Sequence, residues 1–221
     1  MKLALGLLST VAVIGLSSAG LAADLTPSPD VTSTTNVDWS GFYAGMNAGY
    51  GPGLLHLPLW DDVSFAGPFV GGQIGYNFKL GDSGAVIGVE TNLDWANETG
   101  STEESGFHYI DTFGWNGAVT AHLGMAVGSF LPYVLGGVAI AENTLTYRYD
   151  DPAHETGSTT VGSIGWTAGI GASVRLVSNL SVFSELRYTD YGTQDYSGNS
   201  VAGGPGHLTD TSIRGGANIN F

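Results

Sequence analysis

The sequence predicts an all-β fold, an eight-stranded antiparallel up-and-down transmembrane β-barrel with four long outer loops and short periplasmic turns. Three observations carry this prediction. Run after run alternates apolar and polar residues with a period of two, which gives a strand two unlike faces. The connections between runs are long and short in turn. The polar parity holds mostly Gly, Ser, Thr and Asn, whereas a soluble surface would carry many Lys and Glu.

The chain opens with MKLALGLLSTVAVIGLSSAGLAA, read as a signal peptide over residues 1–23. It has a lysine at position 2, an apolar stretch from Leu3 to Leu16, and small residues before Asp24, with cleavage after Ala22 or Ala23. A transmembrane anchor is the alternative, but the apolar stretch falls short of the roughly 20 residues that span a bilayer. Residues 24–38, DLTPSPDVTSTTNVD, are rich in Thr, Ser, Pro and Asp and read as a flexible periplasmic N-terminal tail. Residues 39–221 are expected to form the outer-membrane β-barrel.

The runs follow in order. In FYAGMNAGY, Phe42, Ala44, Met46, Ala48 and Tyr50 oppose Gly45, Asn47 and Gly49. In VGGQIGYNFKL, Val70, Ile74, Tyr76 and Phe78 oppose Gly71, Gln73, Asn77 and Lys79. In AVIGVETNLDW, Ile87, Val89, Leu93 and Trp95 oppose Gly88, Glu90, Asn92 and Asp94. The fourth sets Phe113, Trp115, Val119 and Leu123 against Asn116, Thr120 and His122. The fifth, LPYVLGGVAIAENTLTY, is apolar on both parities, so its facing stays open. The sixth places Ile164, Trp166, Ile170, Val174 and Leu176 opposite Ser163, Thr167, Ser173 and Arg175. The seventh sets Leu180, Val182, Leu186 and Tyr188 against Phe183, Glu185, Arg187 and Thr189. The eighth, DTSIRGGANINF, closes the chain on Phe221. Long polar segments lie at 51–66, 96–109, 147–158 and 192–208, and short ones at 81–84, 124–130 and 177–180. That alternation puts long loops outside the cell and turns in the periplasm.

Composition narrows the class further. There are no cysteines, which removes disulfides and thiolate metal sites. Only 12% of residues are charged, against a norm of about 25%, and glycine supplies 35 of 221. Without Lys2 the chain has 5 basic and 20 acidic side chains, a formal charge near −15, so no nucleic acid partner is expected. A soluble sandwich or lipocalin-like barrel would also alternate. Arg175, Arg187, Arg214, Glu90 and Glu185, however, share the polar parity inside strands, as the polar interior of a membrane barrel requires.

The stretches NVDWSGFYAGMNAGYG, FLPYVLGGVAIA and LSVFSELRYTDYG resemble the first, fifth and seventh strands of the alphaproteobacterial small outer-membrane β-barrel (porin-like surface antigen) family. In that family W-x-G-F-Y-x-G-x-x-x-G-Y-G recurs, and the resemblance covers nearly the whole mature chain. The family is similar to the membrane domain of OmpA-type proteins. The resemblance implies a porin-like or structural surface antigen, and haemin binding for some members. It also implies that Phe221, a closing aromatic on an alternating last strand, serves as the signal read by the outer-membrane assembly machinery.

Candidate residues follow from parity. Glu90, Glu185, Arg175, Arg187 and Arg214 are expected to form an interior charge network, with Lys79 at the periplasmic end. Trp39 and Trp95 are expected near opposite membrane boundaries, with Tyr50 and Tyr188 in the outer girdle. Tyr43, Phe69 and Phe183 share the inward parity and are expected to lie over neighbouring glycines. The histidines His56, His108, His122, His154 and His207 are scattered and read as solvated polar groups. Their sharper reading is haem or metal capture together with Tyr147, Tyr149 and Tyr196, since imidazole and phenolate both ligate iron. The pairs Asp61–Asp62 and Asp150–Asp151 lack a matching His–Asp pattern for water activation. The Gly-rich stretches precede no helix and make no phosphate cradle.

These features predict a structural or surface-interaction barrel with no enzymatic activity and no cofactor. The alternatives are a small-solute or ion porin and a haemin-binding receptor. Expected partners are outer-membrane lipid and lipopolysaccharide, the assembly machinery, and a host or surface ligand at the loops.

Overall fold

The computed structural model describes residues 37–56, 63–104, 107–149, 157–195 and 205–221. The expected signal peptide and nearly all of the expected tail lie outside these residues. Eight strands follow one another: β1 (Gly41–His56), β2 (Val63–Leu80), β3 (Ala85–Glu104), β4 (Phe107–Met125), β5 (Phe130–Tyr149), β6 (Gly157–Val177), β7 (Leu180–Asp195) and β8 (Pro205–Asn220). Each pairs antiparallel with its sequence neighbours, and β8 pairs with β1 to close the barrel.

Closure is completed at the chain terminus. Phe221 N–H donates to the Phe42 carbonyl at 2.8 Å. Gly41 faces the Phe221 carbonyl with φ at 125°, a left-handed conformation that other residues rarely adopt. A Cβ at Gly41 would meet that carbonyl, so the seam depends on this glycine.

The two parities separate as the alternation requires. Met46, Ile74, Leu93, Val119, Ile164, Ile170 and Ile213 project outward and are exposed, which in a closed sheet means contact with lipid. β5, whose facing the sequence left open, turns Leu131, Leu135, Ala139 and Ala141 inward and Val134, Val138 and Ile140 outward.

Inside, three layers stack along the barrel. Phe69, Ala96, Ala118, Ala139, Ala141, Tyr191 and Leu208 form an apolar layer towards the outer end. Trp39, Val86 and Leu131 form another at the periplasmic end. Polar and charged side chains fill the space between them. The outer segments are more regular than loop composition suggested. β3 and β4 stay paired up to Glu104↔Phe107, and β5 and β6 up to Tyr147↔Gly157. Polar residues pair their backbones as readily as apolar ones, so the ladder runs on where lipid no longer selects apolar side chains.

Glycines make room for the interior rings. Tyr43 lies on Gly75, Phe69 on Gly49 and Phe183 on Gly216, each across a strand pair. His122 on Gly88 and Tyr133 on Gly171 repeat the arrangement. An added methyl at Gly75 would collide with the Tyr43 ring and the Val89 carbonyl, whereas at lipid-facing Gly72 the nearest atom is 3.5 Å away. Gly75→Ala should therefore destabilise the folded barrel by about 1–3 kcal/mol through overpacking. Gly72→Ala should change it by less than about 0.5 kcal/mol. Urea unfolding of the two variants in micelles checks this contrast, and equal midpoints would contradict the ring-over-glycine packing.

Candidate functional site: the charged interior

The central layer is built from inward positions on β3, β7 and β8. Arg187 and Glu185 are two residues apart on β7, and Arg214 of β8 stands directly across from Glu185. Glu90 belongs to β3, diametrically opposite β7 in the closed order. The Arg187 guanidinium bridges this diameter, donating from Nε to Glu185 Oε2 at 2.7 Å and from Nη2 to Glu90 Oε1 at 3.1 Å. Its Nη1 donates to Asn92 Oδ1 at 2.9 Å.

The carboxylates are completed by tyrosines. Tyr43 Oη donates to Glu90 Oε2 at 2.9 Å, and Tyr133 Oη donates to Glu185 Oε1 at 2.7 Å. Arg214 Nη1 reaches Asp94 Oδ2 at 3.5 Å, and its Nε lies 3.7 Å from Glu185 Oε2. Asn92 Nδ2 donates to the same Asp94 oxygen at 2.7 Å. Arg187 and Glu185 are each 4% exposed, so these pairs lie beyond the reach of solvent screening. A buried guanidinium is costly unless its hydrogen bonds are met, and Arg187 meets that condition on three sides.

A second polar chain lies beside the first. Asn47 Nδ2 donates to Gln73 Oε1 at 2.8 Å, and Gln73 Nε2 donates to Asn218 Oδ1 at 2.6 Å. His122 Nε2 lies 2.8 Å from Asn77 Oδ1, with its ring against Tyr133. Two small cavities flank the charged layer. The outer one, about 30 Å³, is bordered by Asp94, Asp210, Arg187 and Arg214. The inner one, about 20 Å³, is bordered by Trp39, His122, Ser173 and Glu185. Spaces of this size hold one or two waters.

The residues singled out in the sequence divide into three groups. Glu90, Glu185, Arg187 and Arg214 meet in one network. Arg175 does not join it. Its guanidinium sits 4.7 Å from the Trp39 ring centroid at the periplasmic mouth. Lys79 is at that same end, where its backbone N–H donates to Ser40 Oγ at 3.1 Å. Among the expected girdle residues, Trp95 is 73% exposed to the lipid side and stands opposite Trp115. Tyr188 lies against Trp166 in a tilted pair with centroids 5.6 Å apart, and Tyr50 is exposed. Trp39 occupies the end opposite Trp95, but it is 3% exposed and lies inside the mouth instead of at the lipid boundary. Phe42, Tyr76 and Phe78 are among the lipid-facing aromatics at that end, with neighbouring centroids 4.6 and 4.4 Å apart.

Asp94, Asn92, Tyr43 and Tyr133 were not singled out as members of the charge network. The inward parity of Asp94, Asn92 and Tyr43 was legible, whereas that of Tyr133 on β5 was not, and the partners that join them to the network stand mostly on other strands. Of the histidines at the outer end, His207 pairs with Asp190 at 3.3 Å. The side chains of His56, His108, Tyr147 and Tyr149 lie outside the described residues, as do His154, Tyr196, Asp61, Asp62, Asp150 and Asp151. Among the described residues no cluster of His, Asp and Glu has metal-binding geometry.

Replacing Glu185 by Gln keeps the shape but removes the charge shared by Arg187 and Arg214. The loss leaves two guanidiniums under-compensated in a buried interior, and the expected cost is about 3 kcal/mol. Equilibrium unfolding in micelles measures it, and an unchanged midpoint would contradict a net contribution from this carboxylate.

The family model for the outer membrane protein beta-barrel domain matches residues 9–221. The 31 kDa outer-membrane immunogenic protein of Brucella melitensis is 34% identical over 215 residues, covering 86% of this chain and 88% of that protein. The 22 kDa outer membrane protein of Rhizobium leguminosarum bv. viciae is 30% identical over 185 residues, covering 83% of this chain and 78% of that protein. Among solved structures, Neisserial surface protein A aligns with a TM-score of 0.47 at 15% identity, over 82% of this chain and 98% of that one. A match over almost the whole length, on a closed eight-stranded wall with its apolar parity outward, makes this chain a member of the outer membrane protein beta-barrel family, resident in the outer membrane.

Proposed function

We propose that this protein is a closed, non-enzymatic structural and surface-interaction barrel that holds acidic β-hairpins outside the cell. The observation that carries the reading is the Arg187 bridge from Glu185 to Glu90 across the full diameter, with an apolar layer on either side of it. Eight strands leave a lumen that side chains can fill, and cavities of about 30 and 20 Å³ give a hydrated ion no continuous route.

The hairpins supply the interaction surface. The outer ends of β3 and β4 carry Glu98, Glu103, Glu104 and Asp111, and the sequence after Tyr149 continues with Asp150 and Asp151, against the single basic residue Arg148 in this part of the chain. The relatives from Brucella are named outer-membrane immunogenic proteins, which supports the same exposure for these hairpins here. The partners in this reading are outer-membrane lipid and lipopolysaccharide around the belt, and a host or surface ligand at the hairpins. Phe221, 79% exposed at the end of β8, would be the residue met by the assembly machinery.

Single-channel recording of the refolded protein is the test. The expected record for the wild-type chain has no steady conductance, and Glu185→Gln should introduce small, irregular openings. A large, steady wild-type conductance, unchanged by the substitution, would replace this reading with that of a porin. A haemin titration should leave the absorbance spectrum of haemin unshifted, and saturable binding would promote the receptor reading.

A further inference from the structure

Residues 37–40 belong to no strand, yet they are held tightly at the periplasmic mouth. Trp39 enters from the β1 side, and its Nε1 donates to the Gly128 carbonyl at 3.2 Å. Gly128 lies in the turn before β5, and β5 is opposite β1 in the closed order, so the indole reaches across the opening. Arg175 of β6 covers the ring and donates from Nη2 to the Asp38 carbonyl at 3.2 Å, while its Nη1 donates to the Ser178 carbonyl at 3.0 Å. Ser40 N–H donates to Asp38 Oδ1 at 2.9 Å, which holds that carboxyl below its usual range and shapes the entry into β1. Val86 and Leu131 pack against the indole from β3 and β5.

We propose that residues 37–40 form a latch, in which the Trp39 indole closes the periplasmic mouth and its release admits water and small solutes to the inner half of the lumen. The tethers differ in kind from the barrel wall. The wall is a continuous ladder, whereas the latch is held by side-chain contacts and two single hydrogen bonds to its backbone and Ser40: the indole hydrogen bond, the guanidinium–indole contact, packing of the indole on Val86 and Leu131, the Asp38 carbonyl accepting from Arg175 and Ser40 Oγ accepting from Lys79 N–H. These can part without unpairing a strand. The inner cavity, bordered by Trp39, His122, Ser173 and Glu185, would then join the periplasm. The charged layer of Glu90, Arg187 and Glu185 stands beyond it and stays closed. The latch and the charged layer are thus two seals in series, and the latch adds a motion that the closed-barrel reading does not require.

The chain has no cysteine, so an introduced thiol is unique. Ser173→Cys places one in the inner cavity, and Ser163→Cys places one further out on the same strand, beyond the charged layer. Each is made in the full chain, refolded in micelles and treated with a charged methanethiosulfonate reagent. Adding Trp39→Ala should speed modification at Ser173→Cys by at least about tenfold, since the hydrogen bond and the cation–π contact are lost together with the indole that fills the mouth, and leave Ser163→Cys unchanged. Arg175→Gln, which keeps the indole but removes its cover and the Asp38 tether, provides a second release should Trp39→Ala not fold. It should also speed modification at Ser173→Cys while sparing Ser163→Cys. Fast modification at Ser173→Cys with the latch intact would overturn the proposal. So would equal acceleration at both positions, which would mean general loosening of the barrel, or no acceleration from either variant.

Discussion

No water reaches the hydrocarbon layer, so every backbone N–H and C=O on a spanning segment must find its partner within the protein. In a sheet that demand is met only by closure, because any free edge would leave a row of unpaired groups in lipid. The β1–β8 seam therefore governs the rest of the molecule. It runs from Tyr43↔Asn220 to His56↔His207 and ends where Phe221 N–H meets the Phe42 carbonyl beside Gly41. Once the sheet closes, one parity must satisfy lipid and the other must fill a narrow cylinder.

The cylinder is filled by two means. Glycines on one strand let rings from the next lie flat on the wall, as Tyr43 does on Gly75 and Phe183 on Gly216. Charges then span what remains, and Arg187 works here because its planar fork donates in several directions at once. A lysine would serve less well, since its three donors radiate from one nitrogen, whereas Arg187 reaches Glu185, Asn92 and Glu90 from Nε, Nη1 and Nη2 separately. The apolar layers at either end shield this centre from bulk solvent, which strengthens each ion pair and raises the cost of breaking one.

The same charges specify the register. A slip of one residue along β7 would turn Glu185 and Arg187 outward and Leu186 inward. Placing a charge against lipid costs about 2–4 kcal/mol at mid-depth, so the misregistered sheet is excluded by the interior residues themselves. The charged layer thus closes the lumen and also selects one pairing of the strands.

The strand count, the alternation of connections, and the facing of every run but the fifth were legible in the residues, because period-two patterning is a local property. Glu90, Glu185, Arg187 and Arg214 could be grouped as inward charges for the same reason. Their pairing could not, since Glu90 and Arg187 are 97 positions apart and meet only through the curvature of a closed sheet. Trp39 was expected at the lipid boundary because an indole at a strand end favours the interface. Its burial depends on Gly128 and Arg175, brought to the mouth by β5 and β6, and no local pattern encodes that. The facing of β5 was decided in the same way, by Leu131 closing on Trp39 at one end and Ala139 and Ala141 joining the outer apolar layer at the other. The sequence by itself determined which residues face lipid, wherever alternation was strict. Tertiary structure alone decided what meets across the lumen, because those contacts exist only after the ends of the sheet have joined.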